Sequence, residues 1–197
     1  SLKEKLAKTC DNQPFIAKAP LVLTFLADYQ RWYDAFCRAG CEPRKPAEGD
    51  LLLACADAII AAQNTVVAAE ALGIGSCYIG DILENCETVR ELLDLPDFAV
   101  PVAMVVYGYP VKSQKDRKKP SRFDQEYIVF ENQYHHLTPG EQLEMYRRRN
   151  EKAGKKEVDI YADIKAFCQR KYMSDFSLEM SRSVREYLKK FSGSSET

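Results

Sequence analysis

Hydrophobic and polar positions arrange this chain around one stretch. From Asp50 to Leu72, DLLLACADAIIAAQNTVVAAEAL is apolar on nearly every side of a helical wheel, broken by Asp50, Asp57, Gln63, Asn64, Thr65 and Glu70. Asp57 and Asn64 share one narrow stripe; Gln63 and Glu70 form a second, roughly a third of a turn away. Asp50 stands where an N-cap is expected, and Gly73 where a left-handed C′ residue closes a helix. A helix with no single solvent face is buried from several sides, inside a large core or across a subunit interface. Its length would permit a membrane span, but the polar stripes argue against one. Gly73-Ile74-Gly75-Ser76 and a short apolar run to Gly80 follow, and three glycines in one short segment bring backbone close to something.

The remaining pattern predicts a mixture of strands and helices. Leu21–Ala27 (LVLTFLA) reads as a covered strand rather than an edge, and Val100–Tyr107 as the best strand in the sequence. Tyr29, Trp32, Tyr33 and Phe36 form an aromatic cluster that either packs in a core or interface or lines a pocket. Residues 38–49 form a Pro/Gly-punctuated loop, and Asn85 caps a helix running to about Asp94, stopped by Pro96. Lys112–Arg122 reads as a basic loop and Tyr127–Phe130 as a short strand. Thr138-Pro139-Gly140-Glu141 is a capping box opening a helix that ends near Gly154. Helices over about Val158–Lys171 and Ser174–Phe191 follow, the second with apolar positions Phe176, Met180, Val184 and Leu188, before a frayed polar tail, Ser192–Thr197.

Composition narrows the function classes. The 197 residues are 46% hydrophobic with a net charge of -1, enough for one substantial core and without bias toward nucleic acid or an anionic membrane. The opening residues show no charged-then-apolar leader, and several of the seven cysteines lie in apolar settings, as reduced core thiols do, so a cytoplasmic setting is expected. Cys37 and Cys41 lack a second pair at zinc spacing, so no metal site is expected. His135 and His136 are adjacent and point apart, a poor start for a nucleophile–base dyad. Arg147–Arg149 is either a solvated helix face or a nucleic-acid contact, the first favoured. The loop holding Lys112, Lys115, Arg117, Lys118, Lys119 and Arg122 is either solvated or receives a phosphate, since arginine forks match phosphate oxygens.

One ordered set of motifs goes further. Asp57-Ala58-x-x-Ala61-Ala62-Gln63-Asn64, Ala68-Ala69-Glu70-Ala71-Leu72-Gly73-Ile74-Gly75-Ser76, Glu91-Leu92-Leu93-Asp94-Leu95-Pro96 and Tyr107-Gly108-Tyr109-Pro110 together resemble the nitroreductase family of flavoproteins, over about Phe15 to Phe130. Arg170-Lys171-Tyr172-x-Ser174-Asp175-Phe176 resembles an extension in one bacterial subgroup. The resemblance implies an α+β fold, a central mixed sheet flanked by helices, and an intertwined homodimer holding FMN at its interface. It implies a flavin-binding domain over residues 1–134 and a helical extension over 135–197. It places Tyr78, Ile79 and Gly80 beside the flavin ring, where a side chain at Gly80 would hold the ring off. Arg122 takes the place of the family's late phosphate-binding arginine; Lys119 is the weaker candidate, because the family lysine usually sits where Pro120 stands. The family's Arg-Arg-Ser-type and Asn-x-Gln-Pro-Trp-like elements have no counterpart, so an N-terminal segment is expected to be missing from these residues.

The implied activity is hydride transfer from NAD(P)H through FMN to a small electron-poor acceptor such as a nitroaromatic or quinone. The flavin carries that chemistry, so no side-chain acid or base is assigned. The rival reading is a non-catalytic nitroreductase-like dimer serving as a binding or scaffold module.

Overall fold

The run Val100–Tyr107 lies inside the middle strand of a three-stranded sheet, and nearly every residue of that strand is buried. The computed structural model describes residues 1–155 and 158–193. Two compact units form, one from Ser1–Val111 with the chain from Asp175 onward, the other from Lys112–Ser174. The sequence reading divides the chain at residue 134 instead.

The first unit runs α1 (Leu2–Thr9), α2 (Pro14–Lys18), β1 (Leu21–Asp28), α3 (Gln30–Arg38), α4 (Glu48–Ala71), β2 (Gly75–Ile79), α5 (Cys86–Leu93) and β3 (Ala99–Gly108). The sheet order is β1-β3-β2 and both pairings are antiparallel, so among the described residues the sheet is antiparallel rather than mixed. β1 is therefore an edge, not the covered strand expected; its residues are mostly half-buried because only its faces are packed. Between Phe25 and Leu26 the pairing skips a residue of β3, from Ala103 to Pro101. A bulge at that point accommodates a proline, which has no N–H for a regular ladder.

Alternation along β3 sorts the core into layers. Met104 and Val106 join Leu6, Ile16, Ile82 and Val89 on one face, under α1, α2 and α5. Val105 and Tyr107 join Ala62 and Ala69 of α4 on the other. Burying Met104, Val105 and Ile79 contributes about 1.5–3 kcal/mol each. At the β3 start, Ala27, Leu51 and Val100 pack with Tyr187 and Phe191.

α4 starts two residues earlier than expected. Its N-cap is Ala47, and Asp50 sits at the third helical position. There the carboxylate reaches back to accept the Ala47 N–H at 2.9 Å and the Arg44 guanidinium at 2.6 and 3.0 Å. The Arg44 fork, then the Ala47 bond, holds Asp50 down to about 2. Gly73 (φ +73°) closes the helix in the expected left-handed conformation. By length and composition alone α4 could cross a membrane. Here Leu51, Ala58, Ala62 and Ala69 are buried, while Leu52, Leu53, Ile60 and Val67 are exposed.

The second unit carries α6 (Lys112–Lys115), α7 (Pro139–Lys152) and α8 (Ile160–Phe167). Thr138 and Glu141 form the expected reciprocal cap of α7, with Gly154 (φ +74°) just beyond its end. Tyr127–Phe130 is not a strand. Gln125–Tyr127 is a 3-10 turn, and Ile128 and Val129 are exposed with no strand pairing among the described residues. Asp159 caps α8, and Cys168–Tyr172 continues it as a π-helical turn.

The last helix, α9 (Asp175–Ser192), belongs to the first unit. Its buried face is Ser183, Tyr187 and Phe191, one position off the apolar stripe at Val184 and Leu188. The helix docks through side-chain hydrogen bonds as well as apolar area. Asn85, in left-handed conformation, does not cap α5 with its own side chain. Glu179 accepts the Asn85 N–H at 3.1 Å and Ser183 accepts the Cys86 N–H at 2.9 Å, so α9 caps α5. Of the expected polar tail, 194–197 lies outside the described residues.

Candidate functional site

The glycine-rich segment after α4 becomes β2, and close approaches require glycine at Gly75 there and at Gly108 on the neighbouring strand β3. A Cβ on Gly75 would meet the Gly108 carbonyl oxygen at 3.3 Å, and one on Gly108 would meet Pro20 at 3.3 Å. Gly80 differs: a Cβ there meets nothing within 4 Å. The fold itself does not require a glycine at that position. It leaves bare space where β2 ends and the 3-10 turn Gly80–Leu83 begins.

Neighbouring side chains are held from α4. Ile79 is buried opposite Met104, while Tyr78 is 41% exposed and donates its hydroxyl hydrogen to Gln63 Oε1 at 3.3 Å. Loss of water around Tyr78, then the nearby Tyr107, raises its phenol above the ordinary value. Thr65 gives its hydroxyl hydrogen to the Ala62 carbonyl at 2.7 Å, so Tyr107 donates to Thr65 Oγ1 at 2.5 Å. Gln63 and Thr65, two of the few polar residues on α4, thus fix the phenols of Tyr78 and Tyr107.

Behind the turn lies an acidic group that sequence reasoning missed. Glu84 is 7% exposed and its Oε1 has no hydrogen-bond partner among the described residues. Burial, followed by Asp81 and Asp11, raises its carboxyl to about 7. Cys10, fully buried, is pushed to about 12 by burial and by the same Asp81 and Glu84. Gln13 relieves part of this charge by donating to Asp81 Oδ2 at 3.0 Å. Glu84 falls outside every motif; Asp81 stands three residues earlier in the same turn, and only the fold brings Asp11 to it.

Lys119 and Arg122 stand in the second unit, both exposed, and neither has an ion-pair partner among the described residues. The aromatic cluster divides: Trp32 stacks on Phe36 at the surface, and Tyr33 meets Phe98 edge-on at 4.9 Å. Arg147–Arg149 is ion-paired rather than displayed. Arg147 pairs with Glu144 and Glu151, Arg148 with Glu144 and Glu126, and Arg149 with Asp163. His135 pairs with Glu141 at 3.1 Å, and all seven cysteines are free thiols. Among the described residues, no group of three or more His, Cys, Asp or Glu side chains could hold a metal ion.

The first unit is thus an α+β sheet with an apolar helix laid along one face and a bare glycine corner at the edge-strand end. The chain belongs to the nitroreductase family, whose model matches residues 2–109. An NADPH-dependent oxidoreductase of Staphylococcus aureus is 31% identical over 136 residues, covering 68% of this chain and 53% of that protein. The chain thus spans about half the length of that curated relative. NfrA2 of B. megaterium superposes with a TM-score of 0.77 at 27% identity, covering 100% of this chain and 78% of that one. The NfrA1 nitroreductase of B. subtilis gives a TM-score of 0.69 at 27% identity, covering 91% of this chain and 76% of its own.

Proposed function

We propose that this chain forms part of an FMN-dependent oxidoreductase that takes hydride from NADPH and passes it to a small electron-poor acceptor, such as a nitroaromatic or quinone. The observation that carries this reading is the bare corner at Gly80, beside an exposed Tyr78, on a member of the nitroreductase family. NADPH is favoured over NADH because the matched Staphylococcus aureus relatives are NADPH-dependent oxidoreductases. When bound, FMN supplies the two-electron redox chemistry.

The chain's own residues bind and orient. Tyr78, Ile79 and Gly80 bound the ring, with Ile79 anchored in the core so that the Gly80 backbone is held in place. Arg122 takes the phosphate, its two-pronged guanidinium suited to adjacent oxygens, with Lys119 as a secondary cation. A second copy covers Leu52, Leu53, Ile60 and Val67 of α4, making the homodimer in whose interface the flavin is held. Free thiols throughout fit a cytoplasmic setting.

An absorbance spectrum of the purified protein, followed by NADPH oxidation with and without a quinone, tests the reading. Flavin absorbance with acceptor-dependent turnover supports it. A colourless protein that binds no added FMN overturns it and leaves the scaffold reading.

A further inference from the structure

Inside the second unit lies a cavity of about 430 Å³, within the range of about 300–1,000 Å³ that small ligands occupy. Its walls combine Phe123 with Tyr146 and Arg149 of α7 and Asp163 and Phe167 of α8, joined by Lys155 and Arg170. The Arg149 guanidinium lies 4.9 Å from the Phe123 ring centre and 4.8 Å from that of Tyr146. Those ring faces hold the cation without neutralising it. One carboxylate serves two cations: Asp163 is 3.5 Å from Arg149 and 3.8 Å from Lys155. Arg170 has no ion-pair partner among the described residues and lies 5.7 Å over the ring of Phe167, itself 57% exposed. Arg170 is carried by the π-helical turn Cys168–Tyr172, a form rare enough that it concentrates at functional sites. The lining thus has three cations against one carboxylate, together with an aromatic ring open to stacking.

We propose that this cavity binds a planar aromatic anion, a ring bearing a phosphate or a carboxylate. The ring stacks on the exposed part of Phe167 beside Arg170, and the anionic group meets the charge that Asp163 leaves uncompensated on Arg149, Lys155 and Arg170. A neutral aromatic would leave that charge unmatched, and a compact anion without a ring would leave Phe167 bare. The inference stands on the second unit alone and does not depend on the flavin reading.

Calorimetric titration of the purified chain with adenosine 5′-monophosphate and, separately, with salicylate tests it. Phe167→Ala and Arg170→Gln change exposed side chains, and circular dichroism checks that both variants fold. Saturable binding of either probe, weakened about fivefold or more in both variants and unchanged in Gly80→Ala, is the expected result. Binding of the phosphate probe alone assigns a nucleotide, of salicylate alone an aromatic carboxylate, and both outcomes support the site. No saturable binding of either probe, affinity unaffected in both cavity variants, or affinity lost only in Gly80→Ala overturns it.

Discussion

Ser183 on α9 accepts the backbone N–H of Cys86 at 2.9 Å, and its own hydroxyl hydrogen goes to Glu179 Oε1 at 2.8 Å. One fully buried hydroxyl thus satisfies the first turn of α5 and fixes Glu179, which in turn accepts the Asn85 N–H. Ser183→Ala leaves the Cys86 N–H without its acceptor and should destabilise the protein by about 1–3 kcal/mol. Ser181→Ala, at an exposed position bonded only within its own helix, should cost less than about 0.5 kcal/mol. Urea unfolding of both variants checks this; equal costs would show that α9 does not cap α5.

Glu84 makes stability depend on pH in an unusual direction. Its folded-state value of about 7 lies above the ordinary 4.5, because burial and then Asp81, Asp11 and Glu179 disfavour the charged form. The folded state therefore binds the extra proton between those values. Its stabilising contribution is complete below about 4.5 and is lost as pH rises through about 7. Glu87 and Glu179 act oppositely: Arg182 holds both near 2, so their contribution disappears as pH falls from the ordinary value of 4.5 toward 2. Melting temperature should decline from pH 4.5 to 8 in the native protein, and Glu84→Gln should flatten that decline. An unchanged slope in the variant would remove Glu84 as its source.

Elements with strong local signals were legible in the sequence. The α4 period, the α7 capping box and the β3 run are each written in consecutive residues, and each forms within two residues of its expected bounds. Features decided by distant partners were not. Strand status at Tyr127–Phe130 depends on a neighbour that local propensity cannot supply. The edge position of β1 depends on which strand lies between it and β2. The buried face of α9 is set by the hydroxyl acceptor that α5 needs, which moves it one position from the apolar stripe. At the candidate site, Gly80 was legible from composition, but its bare surroundings and the burial of Glu84 appear only once the turn is built.

The apolar residues that α4 leaves in solvent are the surface on which the proposed dimer would form. Leu52 and Leu53 are each 71% exposed, Ile60 60% and Val67 57%. Burying each against a second copy contributes about 1.5–3 kcal/mol. Because Ile60 is exposed within one chain, Ile60→Glu should leave helical content intact while shifting sedimentation from dimer to monomer. A native protein that sediments as a folded monomer at micromolar concentration would contradict this.

Arg122 and Lys118 separate a specific phosphate contact from diffuse charge. Both lie in the same exposed basic segment, so a general electrostatic attraction would weaken similarly when either is removed. A charge-assisted hydrogen bond is worth about 1.5–3 kcal/mol. Arg122→Ala should therefore raise the FMN dissociation constant by roughly tenfold to a hundredfold, and Lys118→Ala far less. Fluorescence titration of FMN against each variant measures both. Equal small effects would leave only diffuse electrostatics.

Gly80→Ala distinguishes a glycine kept for the fold from one kept for a ligand. The added methyl meets no protein atom within 4 Å, and the backbone is not in the left-handed region where a side chain is strained. Unfolding free energy should therefore change by less than about 1 kcal/mol, with any change toward stability, since alanine restricts the unfolded chain. If the flavin ring rests against this corner, the same methyl occupies the space of the ring, and FMN affinity should fall at least tenfold. Gly75→Ala reverses the pattern: its methyl would crowd the Gly108 carbonyl oxygen at 3.3 Å, so stability should fall before any effect on flavin is read. Denaturant melts and FMN titrations of the two variants together decide the matter. Unchanged FMN affinity in Gly80→Ala would place the ring elsewhere and withdraw Gly80 from the site.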